Sequence, residues 1–393
     1  MGTHADTHTP LAGIIVADFS RVLAGPLATM TLADLGATVI KVERPGSGDD
    51  TRSWGPPYSD TGSTYFESVN RNKQSLTLDL GDPDDRAIAR KLALRADVLV
   101  ENFKPGGFDR LGLGYDSLVT ENPGLIYASI TGFGSAGGAD LLGYDFVVQA
   151  VGGLMSITGS PDGGPMKAGV ALVDVLTAKD TTIAVLAALA SRASTGRGSR
   201  LEVNLLSSLQ AALANQMQAH LGAGVEPRRL GNDHPSIAPY QLLQCRDKPL
   251  AVACGNDGQF AKLAHTLGAA QLATDDRFRT NPLRVAHRAE LQDELERALA
   301  ARTADEWSRA LTEAGVPAGV VASIGEGVEF ARGLGLDPTI TVHDDDGNAV
   351  GEQIRYPVQW TPPLTPRTAA PPALGEHSAA LIEWLRDSSP LER

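Results

Sequence analysis

The fold class follows from the run Gly13-Ile14-Ile15-Val16-Ala17-Asp18-Phe19 and from the segments that come after it. This short apolar run is typical of a strand buried inside a sheet. The next segment, Ala24 to Leu35, carries apolar residues at helical spacing, and Ala37 to Val42 is a second predicted strand. Strands that alternate with helices indicate an α/β domain with a mostly parallel sheet.

The same alternation continues along the first half of the chain. Asp84 to Leu94 is predicted to be helical, Asp97 to Glu101 and Leu125 to Ile130 are predicted strands, and Asn204 to Leu221 is a predicted long helix. The composition then shifts, and shorter signals predict a smaller α/β or α+β domain. These signals lie at Tyr240 to Cys245, Leu250 to Cys254, Gln259 to Leu267 and Ala289 to Ala301.

The chain of 393 residues is long enough for two domains. A final amphipathic helix, Ala379 to Arg386, is expected to pack back onto the large domain. The predicted bounds are a disordered leader at 1–10, a large domain at 11–224, a small domain at 225–330, and a linker with the returning C-terminal segment at 331–393.

Composition and charge narrow the class of protein. A formal net charge of −13 argues against non-specific binding to nucleic acid or to anionic membranes. Cys245 and Cys254 have no metal-ligand spacing and cannot form a disulfide framework, so we expect a reducing cytoplasmic location. No apolar run reaches the length of a membrane span. No metal site is predicted.

Asp174 is the exception in the apolar run Gly169-Val170-Ala171-Leu172-Val173-Asp174-Val175-Leu176. Because burying a carboxylate is costly, another interaction must offset that cost. The following segment, Thr177 to Ser191, is a predicted helix, so Asp174 is expected at a strand-to-helix transition where backbone N–H groups stabilise its charge. Asp174 is therefore either a helix N-cap or a shielded carboxylate nucleophile.

The run Gly132-Phe133-Gly134-Ser135-Ala136-Gly137 matches the dinucleotide pattern G-x-G-x-x-G and follows a predicted strand. That pattern must open directly into a helix to bind a pyrophosphate, and here Gly138-Ala139-Asp140 comes next. We therefore interpret the run as a flexible loop near the active centre.

Three other clusters come at predicted strand ends, where α/β sheets bind their ligands. They are Ser20 to Pro26, Lys41 to Pro45 and Glu101 to Gly106, with Arg110 shortly after. Basic groups at successive strand ends of an acidic protein suit phosphates, and Phe103 can pack against an organic moiety. Together they predict a site for a long phosphorylated ligand.

The order of these and other short motifs resembles that of the class III CoA-transferases, a superfamily that includes formyl-CoA transferase, carnitine CoA-transferase and α-methylacyl-CoA racemase. The resemblance covers nearly the whole chain. The motifs that carry it are Leu11-Ala12-Gly13, Ala24-Gly25-Pro26, Lys41-Val42-Glu43-Arg44, Asn72-Lys73, Val100-Glu101-Asn102-Phe103, Gly143-Tyr144-Asp145, Thr195-Gly196-Arg197-Gly198, Gly231-Asn232, Gly315-Val316-Pro317 and Gly375-Glu376-His377.

The resemblance implies that Asp174 attacks an acyl-CoA thioester and forms first a mixed anhydride and then an aspartyl-CoA thioester. Tyr144 and Asp145 would line the reaction centre. It further implies a Rossmann-like, CoA-binding large domain, an interlocked homodimer, and CoA thioesters as substrates with no permanently bound cofactor. The implied CoA contacts are Val22, Arg44, Leu78, Asn102, Phe103 and Arg110.

Departures from formyl-CoA transferase make its substrates, formyl-CoA and oxalate, poor candidates. Leu23 and Leu142 replace a glutamine and a lysine, and Gly231 to Tyr240 lies where that enzyme has a run of glycines. Succinyl-CoA or another dicarboxylyl-CoA is the expected donor, with an unidentified carboxylic acid as acceptor. The cations considered for a second carboxylate are Arg21, Arg228 and Arg229.

Three alternatives stay open at this point. An α-methylacyl-CoA racemase would need a base where this chain has Tyr144, and His234 or His377 could supply one. A non-catalytic acyl-CoA binding protein would bind CoA esters without exchanging them. A nicotinamide-dependent dehydrogenase would need a dinucleotide site that the Gly13 strand does not show.

Overall fold

The computed structural model describes residues 8–387 and separates into two compact units. The parts of the first unit are the chain up to Leu154, Ala168–Gly222 and the chain from Asp337 onward. The parts of the second unit are Met155–Lys167 and Ala223–Leu336. The segment 155–167, which the sequence placed within the large domain at 11–224, therefore groups with the smaller unit.

Six parallel strands form the sheet of the first unit, in the order β3-β2-β1-β4-β5-β6. This is the strand order of doubly wound nucleotide-binding folds, in which ligands bind where the order reverses, between β1 and β4. The strands are β1 (Ile15–Asp18), β2 (Thr38–Glu43), β3 (Lys73–Thr77), β4 (Val98–Glu101), β5 (Ile126–Thr131) and β6 (Arg200–Asn204). The prediction of an α/β fold with a parallel sheet is confirmed.

Helices pack on this sheet. In chain order, the helices before the strands of the second unit are α1 (Ala24–Asp34), α2 (Thr64–Glu67), α3 (Pro83–Arg95), α4 (Gly107–Arg110), α5 (Tyr115–Leu118), α6 (Asp145–Val151), α7 (Leu154–Ile157), α8 (Leu172–Thr195), α9 (Leu205–Ala212) and α10 (Ala214–Ala223). Residues 155–157 of α7 belong to the second unit. The single long helix predicted at Asn204 to Leu221 is wrong. Asn204 ends β6 and caps α9 by accepting the Ser207 N–H at 2.8 Å. Ala214 has a φ of 40°, which interrupts the helix before α10.

The second unit is built on three antiparallel strands in the order β7-β8-β9, and five helices follow or enclose them. The strands are β7 (Tyr240–Gln244), β8 (Pro249–Ala253) and β9 (Ala318–Val320). The helices are α11 (Asp257–Thr266), α12 (Asn281–Ala286), α13 (Arg288–Leu299), α14 (Ala304–Glu313) and α15 (Ile324–Gly333). Arg284 is fully buried, donates to Asp257 at 2.7 Å and lies over the Phe260 ring.

The last part of the chain completes the first unit with a hairpin, β10 (Thr339–His343) and β11 (Ala349–Ile354), and with α16 (Ser378–Arg386). Leu381 and Leu385 of α16 join the core beside Leu92 of α3, so this helix packs within the first unit. Of the predicted leader at 1–10, residues 1–7 lie outside the described residues. His8 exchanges backbone hydrogen bonds with Pro363 and Thr365.

Two edge strands, β3 and β6, were absent from the sequence prediction. Their sequences, KQSLT and RLEVN, lack the apolar run of a buried strand. Lys73 and Ser75 of β3 are nevertheless buried, because each has a polar partner inside the unit: Asp18 for Lys73 and Glu43 for Ser75.

A network of buried charges links β1, β2, β3 and the loop after β2. Lys73 lies 3.1 Å from Asp18, and Lys41 lies 2.9 Å from Asp49, with all four side chains fully buried. Buried charges of this kind are tolerated only when each one is paired and hydrogen-bonded. Burial would raise the pKa of Asp18, but Lys73, Lys41 and two hydroxyl donors lower it to about 2.

Within residues 8–387, no helix combines the length and apolarity needed to cross a lipid bilayer.

Replacing Lys73 with methionine is expected to lower the free energy of unfolding by about 3 to 5 kcal/mol, because Asp18 would stay buried without its ion-pair partner. Urea denaturation followed by circular dichroism measures the change. The control is Arg90→Met, which breaks an exposed pair with Glu121 and should cost less than about 1 kcal/mol. Equal losses in the two variants would contradict the prediction.

Candidate active site

The candidate site is placed by the loop between β5 and α6, which contains the glycine-rich run. Gly132 and Gly143 pack backbone against backbone, since a Cβ on Gly132 would lie 2.5 Å from the Cα of Gly143. This contact closes the loop and brings Tyr144 and Asp145 back to the end of β5. The first glycine of the run therefore serves loop closure, in agreement with its interpretation as a loop. The carboxylate of Glu202, on β6, also holds the loop, because it accepts hydrogen bonds from the N–H and the hydroxyl of Ser135.

Asp145 caps a helix that begins far away in the sequence. Its Oδ1 accepts the N–H groups of Val173 at 2.7 Å and of Asp174 at 3.3 Å, in the first turn of α8. The predicted start of this helix at Thr177 is wrong, because the helix begins at Leu172 and no strand precedes it. Asp174 is thus not the N-cap. A side chain from α6 provides the cap, which lets the helix begin before the chain supplies a capping residue of its own.

Gln149 completes this arrangement from the buried face of α6. Its Nε2 donates to Oδ2 of Asp145 at 2.7 Å, and its Oε1 accepts the Ala168 N–H at 2.8 Å. Gln149 is fully buried. The Gln149 side chain therefore fixes both the capping carboxylate of Asp145 and the segment that leads into α8. The sequence offered the same signal for Gln149 as for Asp174, a lone polar residue in an apolar run, but Gln149 was not selected.

Asp174 is left with a half-buried carboxylate. Within residues 8–387, no donor hydrogen-bonds to this carboxylate, since the N–H groups expected to stabilise its charge are taken by Asp145. Burial, with a smaller contribution from the Asp145 charge, raises the pKa of Asp174 to about 7. The carboxylate is therefore ionised only from near neutral pH upward, and it is poorly solvated when it is ionised.

Tyr65 of α2 lies within electrostatic range of the same two carboxylates and was not found from the sequence. Burial raises its pKa to about 12, with further contributions from Asp174, Asp145 and Asp49. The phenol therefore stays protonated and can donate a hydrogen bond. Its ring packs edge-on against Trp54 at a centroid distance of 5.1 Å.

A cavity of about 310 Å³ opens at the carboxyl ends of β1, β2, β3 and β4. Three of the six predicted CoA contacts line it, namely Arg44, Leu78 and Phe103. Asn102 does not line it but hydrogen-bonds to both the N–H and the carbonyl of Arg21, at 3.0 and 2.8 Å, and so joins the ends of β1 and β4. Arg21 also lines the cavity, with its guanidinium 5.9 Å from the centroid of the Phe103 ring.

Val22 occupies a strained backbone conformation beside this cavity, with a φ of 72°. Its N–H donates to both carboxylate oxygens of Asp49, at 3.2 and 3.3 Å. Asp49 is in turn held by Lys41, so Lys41 is a buried structural group. The interpretation of Lys41 as part of a phosphate-binding cluster is therefore wrong, because its charge is already paired inside the protein.

The remaining predicted cations have different surroundings. Arg21 and Arg44 both pair with Asp50, at 3.0 and 2.7 Å, so Arg21 is not the spare cation that the sequence suggested. Arg110 ends α4, is exposed, and lies with its guanidinium over Gly106. Arg229, in the second unit, donates to the carbonyl of Ser160 at 3.3 Å.

The two histidines considered as bases have local structural partners. Nδ1 of His234 accepts the Ser236 N–H at 3.1 Å, within the loop of the second unit. Nδ1 of His377 accepts the Ser75 N–H at 3.3 Å, at the edge of β3.

Comparisons with known proteins agree with this architecture. The sequence model of CoA-transferase family III matches residues 11–378. The chain belongs to CoA-transferase family III. The chain is 42% identical over 387 residues to a succinate–glutarate CoA-transferase of Agrobacterium fabrum, with 96% of each chain covered. It is 41% identical to the succinyl-CoA:glutarate CoA-transferase of Mus musculus, with 96% of this chain and 87% of the mouse protein covered.

A solved structure supports the same assignment. A CAIB/BAIF family protein from Brucella suis superposes with a TM-score of 0.86 at 43% identity, covering 96% of this chain and all of the other. This family III protein is therefore an enzyme, a CoA-transferase that acts on CoA thioesters and carboxylic acids.

In this CoA-transferase, Asp174→Asn is expected to raise the thermal midpoint at pH 8 by about 5 °C, because the variant removes a buried charge next to Asp145. The pKa of Asp174 is raised from 3.8 to about 7 in the folded state, so its contribution to stability is full below pH 4 and is lost as the pH rises through 7. Differential scanning calorimetry at pH 5 and pH 8 measures the difference in thermal midpoint between Asp174→Asn and the wild type. This difference should be smaller at pH 5 than at pH 8. A difference of equal size at both pH values would contradict the prediction.

Proposed function

We propose that this enzyme transfers CoA between two dicarboxylic acids and that Asp174 is its nucleophile. The observation that carries the proposal is the pairing of Asp174 with Asp145 at the first turn of α8. Asp145 takes the N–H groups of the helix, which leaves Asp174 with a carboxylate that is poorly solvated and basic. Such a carboxylate is a stronger nucleophile than one that is hydrogen-bonded to water.

The proposed reaction has two matched halves. The Asp174 carboxylate attacks the thioester carbonyl of the donor, and CoA leaves as a thiolate, which gives a mixed anhydride. The thiolate then attacks the Asp174 carbonyl of the anhydride, forming an aspartyl-CoA thioester and releasing the donor acid. The acceptor carboxylate attacks this thioester, and the displaced thiolate attacks the acceptor carbonyl of the new anhydride. The new acyl-CoA leaves, and Asp174 is regenerated with no net change of oxidation state.

Two tyrosines support this chemistry. Tyr65 remains protonated beside Asp174 and Asp145, so it can donate a hydrogen bond to negative charge that develops near the nucleophile. Tyr144 precedes Asp145 at the start of α6, and its side chain is 61% exposed. It is therefore accessible to a bound acyl group.

The cavity lined by Arg44, Leu78 and Phe103 is the proposed site for the nucleotide part of CoA. Phe103 and Leu78 supply apolar surface for the base, and Arg44 supplies a guanidinium for a phosphate. Val22, Asn102 and Arg110 lie in the neighbouring turns and are proposed to complete the site.

Dicarboxylyl substrates are proposed from the names of the relatives. The proteins of Agrobacterium fabrum and Mus musculus are named for succinate, or its CoA ester, and glutarate. Both cover nearly all of this chain at more than 40% identity. We therefore propose succinyl-CoA as donor and glutarate as the first acceptor to test.

Incubation with succinyl-CoA and glutarate is expected to yield glutaryl-CoA, detected by mass spectrometry, and Asp174→Ala should lower the rate at least about 10³-fold. Because only ionised Asp174 can attack, kcat/KM should rise about tenfold per pH unit below pH 7 and level off above it. The matched control is Asp180→Asn, an exposed aspartate on the same helix, which should retain the wild-type rate.

Other outcomes separate the alternatives. Exchange with other acids but not with glutarate would keep the reaction and correct the acceptor. Deuterium uptake at Cα of a branched acyl-CoA in heavy water, with no exchange of CoA between acids, would indicate a racemase instead. Binding of CoA esters with neither reaction would indicate a non-catalytic binding protein.

A homodimer is also proposed, and the exposed apolar side chains near the site support it. Phe146 and Val151 on α6 and Ile183 on α8 are each more than half exposed. Apolar side chains exposed together mark surfaces that bind another protein. Both cysteines are free and buried, which supports a reducing cytoplasmic location.

Sedimentation velocity at micromolar concentration is expected to give a species of twice the chain mass of 41.2 kDa. Ile183→Glu should shift the distribution toward the monomer, because it places a charge among these apolar side chains. The exposed change Lys91→Glu, on α3, is the control. A wild-type species of single-chain mass would contradict the proposal.

A further inference from the structure

Asp50 lies between the two arginines of the cavity and bonds to both. Its Oδ2 is 3.0 Å from Nη1 of Arg21, and its Oδ1 is 2.7 Å from Nη2 of Arg44. All three side chains are between 40% and 55% exposed. The pairs are thus open to exchange with a ligand, unlike the fully buried pairs beneath them.

Three other charged groups that line the cavity, Lys41, Glu43 and Asp49, are already paired inside the protein, whereas Asp79 is exposed and carries a negative charge. Lys41 is paired with Asp49 and fully buried. Glu43 accepts two hydrogen bonds from Arg52, both at 2.7 Å. Among the described residues that line the cavity, Arg21 and Arg44 are therefore the basic groups that solvent can reach.

The Asp50 carboxylate contacts one guanidinium nitrogen of each of these two arginines. Two oxygens of a phosphate have nearly the spacing of the two carboxylate oxygens, and guanidinium groups bind both anions in the same planar manner. A phosphate group that binds the same two guanidinium nitrogens would take the position of the Asp50 carboxylate, since two anions in contact would repel each other.

We propose that Asp50 is an internal substitute for a phosphate group of CoA. It holds Arg21 and Arg44 side by side until a CoA thioester enters the cavity and displaces it. The inference rests on the proposed binding of CoA in this cavity. Displacement of Asp50 weakens CoA binding, and weaker binding speeds release of the product thioester, which must leave in every turnover.

Isothermal titration with CoA, at pH 8 and constant ionic strength, tests the proposal on the wild type and on Asp50→Asn. The variant keeps the shape of the side chain and removes its charge, so the Kd for CoA should fall about tenfold. The control is Asp79→Asn, which removes a charge at the same cavity. Among the described residues, the Asp79 side chain accepts a hydrogen bond only from the Gly81 N–H. The Kd of this variant should change by less than about twofold.

The outcomes separate this inference from the proposed function. If Asp50→Asn binds CoA as the wild type does, or more weakly, Asp50 orients the arginines and the inference is wrong. Equal gains in Asp50→Asn and Asp79→Asn would also overturn it, because general electrostatics would then explain both. No binding of CoA by the folded wild type would instead overturn the proposed CoA site itself, and the inference with it.

A titration with 3′-dephospho-CoA identifies the group that displaces Asp50. Loss of the tenfold gain with this ligand assigns the ribose 3′-phosphate to Arg21 and Arg44. Retention of the gain assigns the diphosphate. Thermal unfolding of Asp50→Asn is expected to match the wild type within about 2 °C, since Asp50 is partly exposed and its side chain contacts two exposed arginines.

Discussion

The buried ion pair of Lys41 and Asp49 is the interaction on which the cavity depends. Asp49 accepts the N–H of Val22 and holds that residue in a backbone conformation that a β-branched side chain rarely adopts. The turn after β1 therefore keeps its shape only while Asp49 stays in place, and Asp49 stays there because Lys41 balances its charge. Asn102 then fixes the same turn from β4. The strained turn and the shape of the cavity beside it therefore both depend on the buried ion pair.

In the candidate active site, two carboxylates lie close to the N-terminus of one helix, α8. The N–H groups at the N-terminus of α8 could stabilise the charge of either Asp145 or Asp174. In this fold they donate to Asp145. Gln149 enforces this choice by holding the other oxygen of Asp145. The charged form of Asp174 is consequently destabilised by burial, and no hydrogen bond from the described residues offsets this effect. Locally unfavourable placements of this kind are expected where function requires them and the surrounding structure can sustain them.

The sequence predicted the parts of this protein that depend on local patterns. Apolar runs correctly located β1, β2, β4 and β5, because strands buried on both faces are made mostly of apolar residues. The edge strand β3 was missed because its buried lysine is made possible by Asp18, 55 positions earlier in the chain. Asp174 was selected from its apolar context, and the resemblance gave it a role. The capping of α8 by Asp145, the raised pKa of Asp174 and the position of Tyr65 depend on segments that lie far apart in the sequence. No local sequence pattern encodes such contacts.

The path of the chain through its two units has a consequence for biosynthesis. The first unit is interrupted by the second, and its final helix, α16, packs against α3. Arg95 at the end of α3 donates to the carbonyl of Trp384 at 2.6 Å, across 289 positions. A ribosome must therefore complete nearly the whole polypeptide before the first unit can close its core, whereas the second unit can fold earlier. Until then, apolar residues of α3 such as Leu92 stay uncovered on the nascent chain, where chaperones bind.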